Sequence, residues 1–117
     1  LTARIAHALP VESFVPAPGQ GCVAIECRAD DAHTASLLAA IDHAPTRAEV
    51  MAERAFLAEL GTGCSLPVAA HAKGRTLHAF LATDDGSRNV SRTITLGDQP
   101  LAEAAALATS LREELGA

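Results

Sequence analysis

Leu66-Pro67-Val68-Ala69-Ala70-His71-Ala72-Lys73-Gly74-Arg75-Thr76-Leu77-His78-Ala79-Phe80-Leu81-Ala82-Thr83 is the stretch whose reading decides the fold. Two apolar runs flank Lys73-Gly74-Arg75, a glycine-centred connection of the kind that joins antiparallel strands. The pattern predicts strands over Leu66 to Ala72 and Thr76 to Thr83. Asp84-Asp85-Gly86-Ser87 is a second turn signal, and Val90 to Leu96 a third strand.

A helix is expected on each side of these strands. Upstream, Thr46-Arg47-Ala48-Glu49 has the form of a capping box. The helix it starts runs to Leu60, with Val50, Met51, Phe56, Leu57 and Leu60 as core candidates, and Gly61 ends it. Downstream, Pro100 opens a helix to Leu115, with Leu101, Ala105, Leu107, Ala108, Leu111 and Leu115 mostly inward. From residue 46 to 117 the order is helix, three strands, helix. That order predicts a small α+β unit: a three-stranded antiparallel sheet with helices packed on one face.

Residues 1–45 read differently. Thr2 to Leu9 resembles the last turns of a helix, stopped by Pro10. Phe14-Val15-Pro16-Ala17-Pro18-Gly19-Gln20-Gly21 mixes residues that fix φ with residues that free it, so a shaped loop or hinge is expected. Cys22-Val23-Ala24-Ile25-Glu26-Cys27 reads as a short strand buried on both faces, although few neighbours for it are evident. Asp31 is placed to cap a helix from about Ala32 to Ile41, with Leu37, Leu38 and Ile41 as its apolar stripe. This portion is expected to be a remnant of preceding α/β domains: a hinge loop, one strand and one helix. The chain starts at Leu1 and not at Met, as a piece of a longer polypeptide would.

Composition bounds the function classes. The 117 residues are 49% hydrophobic, with three Phe and no Trp or Tyr, so the core must be aliphatic. A net charge of −5 and the absence of any basic run argue against nucleic-acid binding. No apolar run is long enough to span a membrane. Three cysteines without a visible signal peptide fit a cytoplasmic protein with reduced thiols. No metal site is expected, because Cys22 and Cys27 would face opposite sides of a strand and the five histidines lack paired spacing.

Cys64 is the chemically suggestive residue. It lies in Leu60-Gly61-Thr62-Gly63-Cys64-Ser65-Leu66-Pro67, between a helix and a strand, where a loop can present a side chain to a ligand. Glycines such as Gly63 let backbone approach a bulky group closely. The ordinary alternative is a buried structural thiol. A Cys64–His71 nucleophile pair lacks an orienting third group. Glu53-Arg54 reads as an internal ion pair or, as the blander reading, a solvated face. Gln20 is the only hydrogen-bonding side chain in its loop, fit to position a ligand or brace a hinge. The residues by themselves therefore specify a presented thiol and no reaction.

Two motifs in order resemble one family. Residues Phe14 to Gly21 followed by Ala24-Ile25-Glu26-Cys27-Arg28, and Glu53-Arg54-Ala55-Phe56-Leu57 leading into Gly63-Cys64-Ser65-Leu66-Pro67-Val68, are similar to segments of the porphobilinogen deaminases (hydroxymethylbilane synthases). The resemblance covers essentially the whole chain. Thr62 departs from the family's Gly-Gly-Cys, and Cys22 stands where a small residue such as Ala is common, which leaves open how freely the loop moves.

The resemblance implies a transferase of porphyrin (heme) biosynthesis. Four porphobilinogen molecules are joined head to tail, with release of ammonia, to the linear tetrapyrrole hydroxymethylbilane. It implies a dipyrromethane cofactor held by a thioether to Cys64, an anchor and not a turnover nucleophile, with Gly63 in the loop and Gln20 as a possible contact. The family's catalytic aspartate and carboxylate-binding basic residues belong to its earlier portion, so no catalytic residue is assigned here and inactivity of this chain alone is expected. The complete enzyme is expected to be monomeric, while this chain is expected to be disordered before about Thr46 or to dimerise through residues 22–27. The rival reading is a free-standing α+β binding or interaction module without catalysis.

Overall fold

Lys73 faces Thr76 across a two-residue turn in which Gly74 takes φ +58°. A short hairpin turn demands this left-handed backbone, and glycine adopts it without steric penalty. In the computed structural model, which describes residues 1–61 and 66–116, the turn joins β1 (Val68–Lys73) to β2 (Thr76–Ala82). β2 then pairs antiparallel with β3 (Asn89–Thr95), giving the order β1-β2-β3. The second turn is organised by Asp85, whose carboxylate accepts from the Thr83 hydroxyl (2.6 Å), the Ser87 amide (3.0 Å) and the Ser87 hydroxyl (2.8 Å).

Three α-helices accompany the sheet: α1 (Ala32–Ala39), α2 (Ala44–Leu60) and α3 (Pro100–Leu115). α2 packs on α3 and on β1, and α3 also touches β2 and β3. The expected α+β architecture is present, with strand ends within two residues of the expected positions. Along β2 the alternate residues Leu77, Ala79 and Leu81 are buried, the period of a strand with one face toward a core. Phe56, Leu77, Leu81 and Leu111 are its largest fully enclosed side chains. Many other core positions are alanines, which lets the helices approach closely.

The helix starts differ from expectation in instructive ways. α2 begins before Thr46: His43 is the N-cap, and its Nδ1 accepts from the Thr46 amide at 3.3 Å. Pro45 lies in the first turn, where its fixed φ and missing N–H suit a helix start. Thr46 is therefore inside the helix, and Glu49 does not close a box on it. In α3 the reach-back contact does form: Glu103 accepts from the Gln99 amide (3.1 Å) and from the Gly97 amide. Those N–H groups hold the Glu103 carboxyl below its ordinary range.

Core membership also shifts. Met51 and Leu101 are exposed, Val50, Leu57 and Ala105 half-buried, whereas Ala52, Glu53 and Ala104 are buried. The partner surface selects which helical stripe is covered, and small residues allow closer contact than the larger apolar ones nearby.

Before α1, two expected elements are absent. Thr2 to Leu9 forms only a 3-10 turn over Thr2–Arg4. Cys22 to Cys27 is not a strand, and its Val23 and Ile25 are 86% and 57% exposed. An apolar run becomes a strand only when a neighbouring backbone receives its N–H and C=O groups, and none of the described residues does so here.

Replacing Phe56 by Ala is expected to lower the unfolding free energy by about 3–5 kcal/mol, the range for emptying a buried aromatic site; a urea titration measures it. The Asp85 carboxyl, depressed to about 2 by its hydroxyl and amide donors, stabilises the folded chain above the unfolded carboxylate range. That contribution fades as pH falls toward about 2. Carbon-13 titration of the Asp85 carboxyl should show that midpoint, and D85N should flatten the acid limb of the stability profile.

Candidate functional site

β1 is an edge strand, and the outward N–H groups at its free side need acceptors. Three come from outside the sheet. The Pro16 carbonyl accepts from the Ala70 amide at 3.0 Å. Glu53 Oε1 accepts from the Ala72 amide at 2.8 Å, and Glu49 Oε1 from the Gly74 amide at 2.7 Å. The spacing explains why two helical carboxylates serve one strand edge. Four residues of α-helix rise about 6 Å, and two residues of strand advance about 6.5 Å. Side chains one turn apart on α2 thus meet alternate amides, Ala72 in β1 and Gly74 in the turn that follows it.

Glu53 does more than seal the edge. It is only 4% exposed, and its second oxygen, Oε2, accepts from the Gly19 amide at 2.6 Å. His71 Nδ1 stands 3.4 Å from Oε1. One buried carboxylate therefore ties the Pro16–Gly21 loop, α2 and β1 together. Sequence reading placed Glu53 on a solvated face and missed this. The available signal was its register with Ala52, Phe56 and Leu60, which share the covered side of α2.

The loop itself is shaped by its glycines. Gly19 and Gly21 have φ of +76° and +83°. A Cβ at either would meet nothing within 4 Å, so backbone conformation and not space calls for glycine. Gln20, the expected contact residue, uses its Oε1 to accept from the Ala17 amide at 3.0 Å, while its own amide donates to the Ala17 carbonyl at 3.0 Å. Its side chain braces the turn.

Cys64 and Gly63 lie outside the described residues. Their flanks are firm. α2 ends at Gly61 in a left-handed conformation with φ +64°, and half-buried Leu66 packs against the core just before β1. The cysteine segment thus connects the two elements that Glu53 joins. The other thiols are free: Cys22 is half-buried and Cys27 exposed. Among the described residues no group of three or more His, Cys, Asp or Glu side chains gathers to hold a metal ion. A groove of about 320 Å³ runs between residues 22–26 and the outer face of α1 and α2, lined by Val23, Ile25, Leu38, Val50, Met51 and Arg54 among others.

A small α+β unit whose helix α2 and edge strand β1 flank the cysteine segment, with α2 clasped to a proline–glycine turn, defines the class. Residues 47–117 match the family model described as porphobilinogen deaminase, C-terminal domain. Residues 1–36 match the model described as porphobilinogen deaminase, dipyromethane cofactor binding domain. The porphobilinogen deaminase of Desulforudis audaxviator is 44% identical over 118 residues, covering 97% of this chain and 38% of that protein. That of Brevibacillus brevis is 46% identical over 104 residues, covering 85% and 33%. That of Sphingopyxis alaskensis is 49% identical over 92 residues, covering 74% and 29%. This chain belongs to the porphobilinogen deaminase family. It spans under two fifths of the length of the curated relatives it matches.

Thiol exposure yields a direct test. Under limiting iodoacetamide, Cys27 is expected to alkylate faster than Cys22, followed by peptide mass mapping; equal rates would contradict the half-burial of Cys22 against the groove.

Proposed function

We propose that this chain is the C-terminal part of a hydroxymethylbilane synthase, a transferase that joins four porphobilinogen molecules head to tail with release of ammonia. The observation that carries the reading is the pair of family matches in one order, with Pro-Ala-Pro-Gly-Gln-Gly in the first and Gly-Cys-Ser-Leu-Pro in the second. The setting is tetrapyrrole biosynthesis in the cytoplasm, where thiols stay reduced.

Cys64 holds the dipyrromethane cofactor through a thioether in this reading. The chemistry of the chain suits that role. A thiol is the soft nucleophile that makes a lasting carbon–sulfur bond, and its segment runs between two elements fixed to one core. Bound there, the cofactor supplies the pyrrole end from which the product chain extends. The protein's own part is to hold that anchor on a firm base and to set its orientation. Gln20 contributes by shaping the hinge turn.

The family's aspartate and its carboxylate-binding basic residues have no motif counterpart in these 117 residues. Porphobilinogen consumption by this chain alone is therefore expected to be absent. The exposed Val23 and Ile25 on an unpaired segment favour self-association of the isolated chain through residues 22–27. Sedimentation should show concentration-dependent dimerisation that V23K/I25K removes; a monomer at all concentrations would contradict it.

Intact mass and peptide mapping of the longer polypeptide test the anchor. A dipyrromethane adduct on the Cys64 peptide, lost with activity in C64S, is the expected result. An active protein with an unmodified Cys64 would refute the assignment.

A further inference from the structure

Two hydrogen bonds, among the described residues, join the segment 1–30 to the unit 46–116: Ala70 N–H to the Pro16 carbonyl, and Gly19 N–H to Glu53 Oε2. The first is a neutral backbone contact. The second is made by a buried carboxylate, and hydrogen bonds to ionised acceptors are the stronger kind. Glu53 cannot release Gly19 without leaving an amide and a carboxylate oxygen in need of new partners. Its other oxygen is held by Ala72, so the carboxylate is fixed on the β1 side and its free lone pairs point to the hinge turn. Gly19 meets it in a backbone conformation that only the local glycine permits readily.

We propose that Glu53 is a positioning residue: its clasp on Gly19 sets how the Cys64-bearing unit is held against the Pro16–Gly21 hinge during chain extension. The proposal rests on the reading of Cys64 as the anchor. Attachment of a group to Cys64 requires the thiol. Repeated extension at the far end of that group further requires the anchoring unit to be held in register with the rest of the enzyme, and small misplacements of reacting groups slow reactions steeply.

Two variants test it. E53Q keeps the volume but replaces one acceptor oxygen by a donor, so one of the two amides loses its partner. G19A leaves Glu53 and the core untouched and disturbs only the left-handed turn, since its Cβ would enter open space. In the 117-residue chain, amide exchange should accelerate roughly tenfold or more at residue 19 in G19A, and at Gly19 or Ala72 in E53Q, with Leu77 and Leu111 unchanged. In the longer enzyme, either variant should retain the adduct on Cys64. Its kcat should fall roughly tenfold with little change in the KM for porphobilinogen, the pattern for misplacement without lost substrate contact.

Unaltered exchange at residue 19 in both variants would overturn the clasp. Faster exchange with an undiminished kcat would overturn the positioning role. Should E53Q fail to fold, G19A decides both points. A wild-type enzyme that is active without any adduct on Cys64 would instead refute the anchor reading, while the exchange measurement still decides the clasp.

Discussion

The Glu53 carboxylate is the constraint on which the arrangement of this chain depends. It is buried, and a buried carboxylate is tolerated only where hydrogen bonds replace lost water. Here they come from Ala72 on an edge strand and Gly19 in a hinge turn. The same bonds dispose of two backbone amides that would otherwise be orphaned. Sealing a strand edge and holding a hinge are thus one interaction. Truncating this side chain would leave the buried Ala72 donor unsatisfied, a penalty of about 1–3 kcal/mol, and would release the half-buried Gly19 amide.

The surrounding unit supplies the rigidity this arrangement needs. α2 is anchored by Phe56 and Leu60 in the core shared with the sheet and by its packing on α3. Thr109 and Arg112 of α3 also bond to Glu59, near the end of α2 from which the cysteine segment departs. The start of β1, where the segment returns, is held by pairing with β2. A ligand anchored between these points inherits a firm base, whatever conformation the segment itself takes.

Family membership gives the unit its chemical context, and the physical reading adds a division of labour. The thiol belongs to the short connection after α2, whereas the clasp belongs to α2 itself, about two helical turns before its end. In the proposed reading, attachment and orientation fall to different residues. Outside the clasp, residues 22–28 present apolar side chains without sheet partners, and the outer stripe of α2 with Val50 and Met51 faces the same groove.

Much of the fold was determined by the sequence alone. Gly74 between two alternating apolar runs specified the first hairpin, Asp85-Gly86-Ser87 the second, and Pro100 the start of α3, because turn and cap chemistry is local. The family resemblance, and with it Cys64, was also legible in short contiguous motifs. What needed the tertiary structure was any feature set by a distant partner. Thr46 resembled a cap, but Pro45 and His43 start the helix earlier. Cys22 to Cys27 had the composition of a strand, but a strand exists only with a neighbour to bond. Glu53 looked like a surface charge, and only the arrival of Ala72 and Gly19, far apart in sequence, makes it the buried centre of the clasp.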